Sequence, residues 1–119
     1  MINILEYSDI TFPEDFLWGA STAGQQIEGN NNSFYDDKEI APKFAYGGVP
    51  YQMAGRAWNS YEIYKEDIAL LKKMHLNSYR MSLEWSRIEP VEGQFDEKEI
   101  EHYRDVLKEL KKNNIKVCL

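Results

Sequence analysis

The chain has 119 residues, of which 43% are hydrophobic and 13% aromatic, and its fourteen basic and twenty acidic side chains leave a net charge of −6. That is enough apolar material for one compact domain with a core, which excludes a disordered polyelectrolyte. The basic residues are scattered among acidic ones, so no patch favours phosphate backbones or anionic membranes, and neither nucleic acid nor membrane is expected as a partner.

The opening "MINILEYSDITFPEDF" has no basic region followed by an apolar core and a small-residue cleavage site, and no later run is long enough to cross a bilayer. A cytoplasmic protein is expected. "DFLWGAST", residues 15–22, is a short apolar and aromatic run closed by small residues, which predicts a fully buried strand opening into a loop. From Gln25 to about Gly55 the chain is rich in Asn, Gly, Pro and Tyr and has little periodicity, centred on "APKFAYGGVPYQ". A loop of that length inside a compact fold is usually functional.

Helical spacing begins near Trp58. Tyr61, Tyr64, Ile68, Leu71 and Met74 recur at steps of three and four, with Lys65, Glu66, Lys72 and Lys73 on the other side. The helix should end near His75, at a left-handed turn more often given to glycine. In "NSYRMSLEWSRIEP", residues 77–90, Tyr79, Met81 and Leu83 form the apolar face of a strand, while Ser78, Arg80, Ser82 and Glu84 form the other. "EPVEGQF" reads as a turn, and Asp96 with Glu99 as a capping box for a second helix with the apolar stripe Ile100, Tyr103, Leu107 and Leu110. His102 adjoins that stripe as a solvated or half-packed side chain. Asn113 and Asn114 stop the helix, and "IKVCL" begins a third buried strand in which the single Cys118 is a small buried hydrophobe.

Strands alternating with helices imply an α/β fold of parallel strands joined by right-handed crossovers, the way both open sheets and closed eight-stranded barrels begin. Three strands and two helices cannot close a barrel, which usually takes about 250 residues. Residues 1–119 therefore read as one partial domain cut within its third strand.

Two blocks decide between the architectures. "FPEDFLWGASTAGQQIEG", residues 12–29, resembles the amino-terminal signature of glycoside hydrolase family 1, the β-glucosidase and 6-phospho-β-glucosidase family. The stretch from "YKEDIALLKKMHLNSYRMSLEWSRIEP" through "NNIKV" is similar to that family's first helix, second strand, second helix and the start of its third strand. The chain departs from the family pattern at Gln25, where an aromatic residue or histidine is usual, and at His75, where glycine is usual.

The resemblance implies the amino-terminal part of a (β/α)8 TIM barrel, with its site at the carboxyl ends of the strands. It assigns Gln26 to substrate binding: an amide offers a donor and an acceptor, which suits two neighbouring sugar hydroxyls. Read from the residues alone, Gln26 would more often stabilise its loop. Glu28 matches a structural residue of the family and is read as a backbone-binding carboxylate, and Trp85 and Arg87 as packing and loop-anchoring groups.

Arg80 on an inward face needs an acid. Glu84 shares its face but sits about 13 Å away at roughly 3.3 Å per residue, so a carboxylate from outside these residues is the better partner. By resemblance, Arg80 supports the glutamate nucleophile, holding it ionised and oriented. The implied reaction is retaining hydrolysis of a β-glycosidic bond, in a β-linked oligosaccharide or an aryl or alkyl β-glucoside, with two carboxyl groups about 5–5.5 Å apart.

The family carries those glutamates in Asn-Glu-Pro and Thr-Glu-Asn-Gly, neither of which occurs here. No catalytic residue is therefore assigned in this chain, no metal or other cofactor is implied, and the chain alone is expected to be inactive. A non-catalytic sugar-binding or assembly module pairing with another chain is the alternative. An open α/β domain without carbohydrate chemistry would need a phosphate-cradling glycine loop, and "YGGVP" lacks the context for one.

Overall fold

The computed structural model describes residues 11–37, 39–40 and 53–119. The centre of the long loop, 41–52, lies outside the described residues. In chain order the elements are β1 (Gly19–Ser21), α1 (Gly24–Ile27), α2 (Ser60–Lys73), β2 (Ser78–Arg80), α3 (Trp85–Ile88), α4 (Glu97–Lys112) and β3 (Lys116–Cys118). The three strands form one parallel sheet in sequential order, with Gly19, Ser78 and Lys116 in register, as are Ser21, Arg80 and Cys118.

Both long helices cover the same face of this sheet. Ile68 and Leu71 from α2 meet Val106 and Leu110 from α4, with Met81 and Ile115 completing the buried cluster and Ala20, Tyr79 and Leu83 packed against it. The alternation predicted for residues 79–83 is therefore what the chain does. Helices on one face of a sequentially ordered parallel sheet are the start of a barrel, since a doubly wound sheet would carry helices on both faces.

Several boundaries differ from expectation. β1 is confined to Gly19–Ser21, and Phe16, Leu17 and Trp18 are exposed where a fully buried strand was predicted. Phe12, Phe16 and Trp18 instead pack on one another, ring centroids 4.6–4.7 Å apart. Local aromatic clustering removes some of this surface from water without a strand partner. The expected burial of β3 also fails: Ile115 is buried, but Lys116, Val117 and Cys118 are all exposed. β3 is paired on one side only, and its Cys118 face carries no covering layer among the described residues.

α2 ends as anticipated. His75 takes φ 58°, the left-handed turn, although Met74 is exposed rather than on the packed face. Two single-turn helices also form, α1 where loop was expected and α3 at the end of the stretch read as a strand. Glu84 makes α3 by accepting from the Ser86 backbone N–H and hydroxyl (3.3 and 2.7 Å). It is thereby committed locally and pairs with Ser86, not Arg80.

Only half of the predicted capping box forms. Asp96 Oδ1 accepts from the N–H groups of Lys98 (2.8 Å) and Glu99 (3.4 Å), but the Asp96 N–H goes to the Ile88 carbonyl and Glu99 turns to the hydroxyl of Tyr61 (3.1 Å). Replacing Asp96 with Ala leaves orphan donors at the start of α4. An expected loss of about 1 kcal/mol, read as a lower urea midpoint by circular dichroism, checks this assignment.

Candidate functional site

At the carboxyl ends of β1 and β2 the chain builds a small platform from α1, the loop through residue 37 and α3. The backbone N–H of Gly24 donates to Ser82 Oγ (2.9 Å), which fixes the start of α1 against the end of β2. Ser82 therefore serves as an anchor rather than as an inward-facing strand residue. Next to it, the hydroxyls of Thr22 and Tyr79 meet in a short hydrogen bond.

The two adjacent glutamines of α1 divide the work. Gln25 organises the loop: its Nε2 donates to Asp36 Oδ2 (2.7 Å) and its Oε1 accepts from Asn31 Nδ2 (3.2 Å), with Ser33 Oγ 2.8 Å from the same Oε1. Gln26 is exposed, and among the described residues its side chain has no hydrogen-bond partner. The loop-stabilising role that the residues alone gave to Gln26 thus falls to its neighbour. That leaves the Gln26 amide with its donors and acceptor available.

Arg80 is exposed on the uncovered face of the sheet. It lines a hollow of about 380 Å³ together with Ser21, Ser78, Lys116 and Cys118. Among the described residues it makes no ion pair, and no contact joins it to Gln26. What connects the two regions is backbone: the Thr22 N–H donates to the Arg80 carbonyl at 3.0 Å, setting the end of β1 beside the end of β2.

Beneath the platform lies a buried polar cluster that the sequence did not disclose as a unit. Glu28, 6% exposed, accepts through one oxygen from Arg87 Nε (3.2 Å) and from the hydroxyl of Tyr103 (2.8 Å). Its partners are these side chains and not the backbone groups expected for it. The Tyr103 hydroxyl also accepts from the Glu84 N–H at 3.1 Å, so one phenol ties α1, α3 and α4 together.

Arg87 is the loop anchor it was read to be. Its Nη2 donates to the Gly29 carbonyl (2.5 Å) and to Asn31 Oδ1 (3.2 Å), and its guanidinium lies 4.1 Å from the centroid of the Tyr61 ring. Gly29 sits at φ +79°, and a Cβ there would fall 1.9 Å from the Arg56 carbonyl oxygen, so only glycine permits this approach.

Burial raises the Glu28 carboxyl above its ordinary value, opposed by the Tyr103 hydrogen bond and the Arg87 charge. Tyr103 is raised chiefly by burial and then by the Glu28 charge. Tyr61, pushed up to about 12 by burial and its bond to Glu99, stays a neutral donor. His102, half-buried and stacked on Tyr61 at 3.9 Å, is held below its ordinary value by burial. One signal for this cluster was present in the sequence: Tyr103 is the hydroxyl in the apolar stripe of α4, and a buried tyrosine hydroxyl needs a partner.

Known proteins share the sequence and fold of this chain. The model of glycosyl hydrolase family 1 matches residues 8–119. β-Glucosidase A of Acetivibrio thermocellus is 37% identical over 112 residues, 91% of this chain and 25% of the relative. Myrosinase 1 of Brevicoryne brassicae is 37% identical over 113 residues, 90% of this chain and 24% of the relative. Among solved structures, the AHE enzyme of Alicyclobacillus herbarius superposes with a TM-score of 0.77 at 35% identity, covering 91% of this chain and 25% of that one. A β-glucosidase of Thermotoga maritima in complex with methoxycarbonyl-substituted glucoimidazole gives 0.76 at 31% identity, covering 89% and 25%. The chain thus spans about a quarter of the length of these relatives and has the fold of the amino-terminal part of their (β/α)8 barrel. The family model covers residues 8–119, nearly the whole of the sequence, and this chain is a member of glycosyl hydrolase family 1.

Proposed function

We propose that this chain forms the amino-terminal part of a retaining β-glycosidase acting on β-glucosides or 6-phospho-β-glucosides. Gln26 binds hydroxyls of the non-reducing sugar, and Arg80 holds the nucleophilic glutamate ionised and directed at the anomeric carbon. Both catalytic glutamates belong to motifs this sequence does not contain, so the chain alone is inactive. The observation that supports the reading is the exposed amide of Gln26 at the carboxyl end of β1, without a hydrogen-bond partner among the described residues, next to a Gln25 bonded to Asp36, Asn31 and Ser33.

Chemically, Gln26 contributes binding and Arg80 contributes to the transition state. A carboxylate beside a guanidinium keeps a low pKa, and charge-assisted hydrogen bonds fix its direction of attack. The test is a chimera in which this chain replaces the matching quarter of the Acetivibrio thermocellus β-glucosidase A, assayed on paired phosphorylated and unphosphorylated aryl β-glucosides.

Gln26→Ala removes two neutral hydrogen bonds at about 0.5–1.5 kcal/mol each, an expected fall in kcat/KM of about 5- to 160-fold. Arg80→Met is expected to lower kcat with little change in KM. Unchanged kinetics for the first variant, or a change confined to KM for the second, would remove that residue from its role. Turnover by the chain without the remainder would refute its inactivity.

A further inference from the structure

The single-turn helix that carries Gln26 is laid along the exit of the strand that carries Arg80. Hydrogen bonds join the two segments in step. The Thr22 N–H donates to the Arg80 carbonyl (3.0 Å) and the Gly24 N–H to Ser82 Oγ (2.9 Å). Further on, the Tyr103 hydroxyl donates to Glu28 Oε2 (2.8 Å) and accepts from the Glu84 N–H (3.1 Å). Gly24 begins α1 and Glu28 caps its end, while Ser82 and Glu84 follow Arg80 in the same chain segment. Both ends of α1 are therefore referred to one strand exit.

Tyr103 makes its tie from behind. It belongs to α4, where it is buried in line with Val106 and Leu110, and at 4% exposed its phenol is out of reach of a sugar at the exposed Gln26 amide. One oxygen serves a buried carboxylate and a buried backbone donor, and leaving either without its partner is costly, so the place of that oxygen is sharply defined.

From this arrangement we infer that Tyr103 and Ser82 are positioning residues for glycoside hydrolysis: they set where the Gln26 amide stands relative to Arg80, and act on the substrate through Gln26 without touching it. The inference rests on the roles proposed above for Gln26 and Arg80. It adds that the span between those two groups is fixed from α4 and from the end of β2. Such spans matter, since displacement of a binding group by about 1 Å can cost as much as about a hundredfold in rate.

A contribution to stability alone would look different. Loss of either side chain would then lower the folded fraction, scaling kcat down equally for every substrate and leaving KM unchanged, because each surviving molecule has an intact site.

Two variants test this. Tyr103→Phe keeps the buried ring and loses the oxygen, and Ser82→Ala removes the other tie at an exposed position where folding is not at stake. In the chimera described above, each is assayed on an aryl β-glucoside and its monodeoxy analogues, alone and combined with Gln26→Ala. Each is expected to lower kcat/KM on the glucoside by about three- to tenfold, chiefly through KM, the worth of roughly one neutral hydrogen bond. In the Gln26→Ala background the same changes should have less than about a twofold effect. They should be equally weak on any deoxy analogue to which Gln26→Ala is itself indifferent.

Hydrogen exchange of α1 in the full chain gives a readout that needs no activity. The N–H groups of Gln26 and Glu28 donate to the carbonyls of Ala23 and Gly24 (both 2.9 Å). Their exchange should quicken by about threefold or more in Tyr103→Phe, with that of Ile68 in α2 unchanged.

Effects that add undiminished to an effective Gln26→Ala, a fall in kcat alone that is equal on all substrates, or unchanged exchange at α1 would each overturn the inference and leave the Gln26 assignment standing. Quickened exchange at α1 with Gln26→Ala silent on every substrate would count against the proposed function and leave Tyr103 as the residue that places α1.

Discussion

Arg87→Met is expected to destabilise the chain by about 3–5 kcal/mol, because it leaves the Glu28 carboxylate buried without its cation. The side chains of Arg87 and Glu28 are 16% and 8% exposed, so water does little to replace the lost partner. The variant can escape by protonating Glu28. Holding a carboxyl of ordinary value 4.5 protonated at pH 7 costs about 3.4 kcal/mol at about 1.36 kcal/mol per pH unit, which limits the electrostatic part of the loss.

The pH dependence follows with a definite sign. In the parent, the folded-state value of Glu28 is raised, so its contribution is fully present below 4.5 and is lost as pH rises through the folded value. Without Arg87 that value rises further, and the deficit of the variant should be largest near pH 8 and shrink towards pH 4. There, only the contacts to Gly29, Asn31 and the Tyr61 ring remain lost. Urea midpoints at pH 4, 6 and 8 measure this directly, and a deficit independent of pH would show that the ion pair contributes nothing beyond packing.

Leu110→Ala should be of similar size for an apolar reason. Leu110 is 0% exposed at the centre of the α2–α4 contact, packed with Ile68, Leu71, Val106 and Ile115. Removing it takes away three buried carbons and leaves a cavity that two helices and a strand cannot easily collapse, a loss of about 2–5 kcal/mol. Since domains of this kind hold only about 5–15 kcal/mol in total, the urea midpoint should fall by a large fraction of its value. This loss should be the same at pH 4 and pH 8, which separates it from the Arg87 variant.

How much the sequence disclosed depended on the range of the interaction. Alternation at Tyr79, Met81 and Leu83 and the helical spacing of Ile68 and Leu71 are local periods enforced by a single buried face, and the structure follows them. His75 was legible for the same reason, since a left-handed turn at a helix end is a local demand. Burial of β3 was not legible, because an apolar run says nothing about how many neighbours a strand has.

The Glu28–Arg87–Tyr103 cluster was hidden by separation: its members lie 59 and 75 residues apart and meet only after α1, α3 and α4 are in place. The capping box failed halfway because Glu99 had a tertiary alternative in Tyr61. At α1 the residue pair Gln25-Gln26 gave two equivalent amides, and only the loop returning through Ser33 and Asp36 distinguishes them.

The tethering of α1 has a kinetic and entropic consequence. Its first residue is held by Ser82 and its last turn by the Glu28 carboxylate, while Gln25 is knotted into the loop. The Gln26 amide, without a hydrogen-bond partner among the described residues, is therefore mounted on a stiff post, and the disorder a slack loop would surrender to a ligand has already been given up when the chain folds. On the role proposed for Gln26, recognition at that amide should be fast and indifferent to loop rearrangement, with discrimination residing in the direction of its hydrogen bonds rather than in closure around the guest.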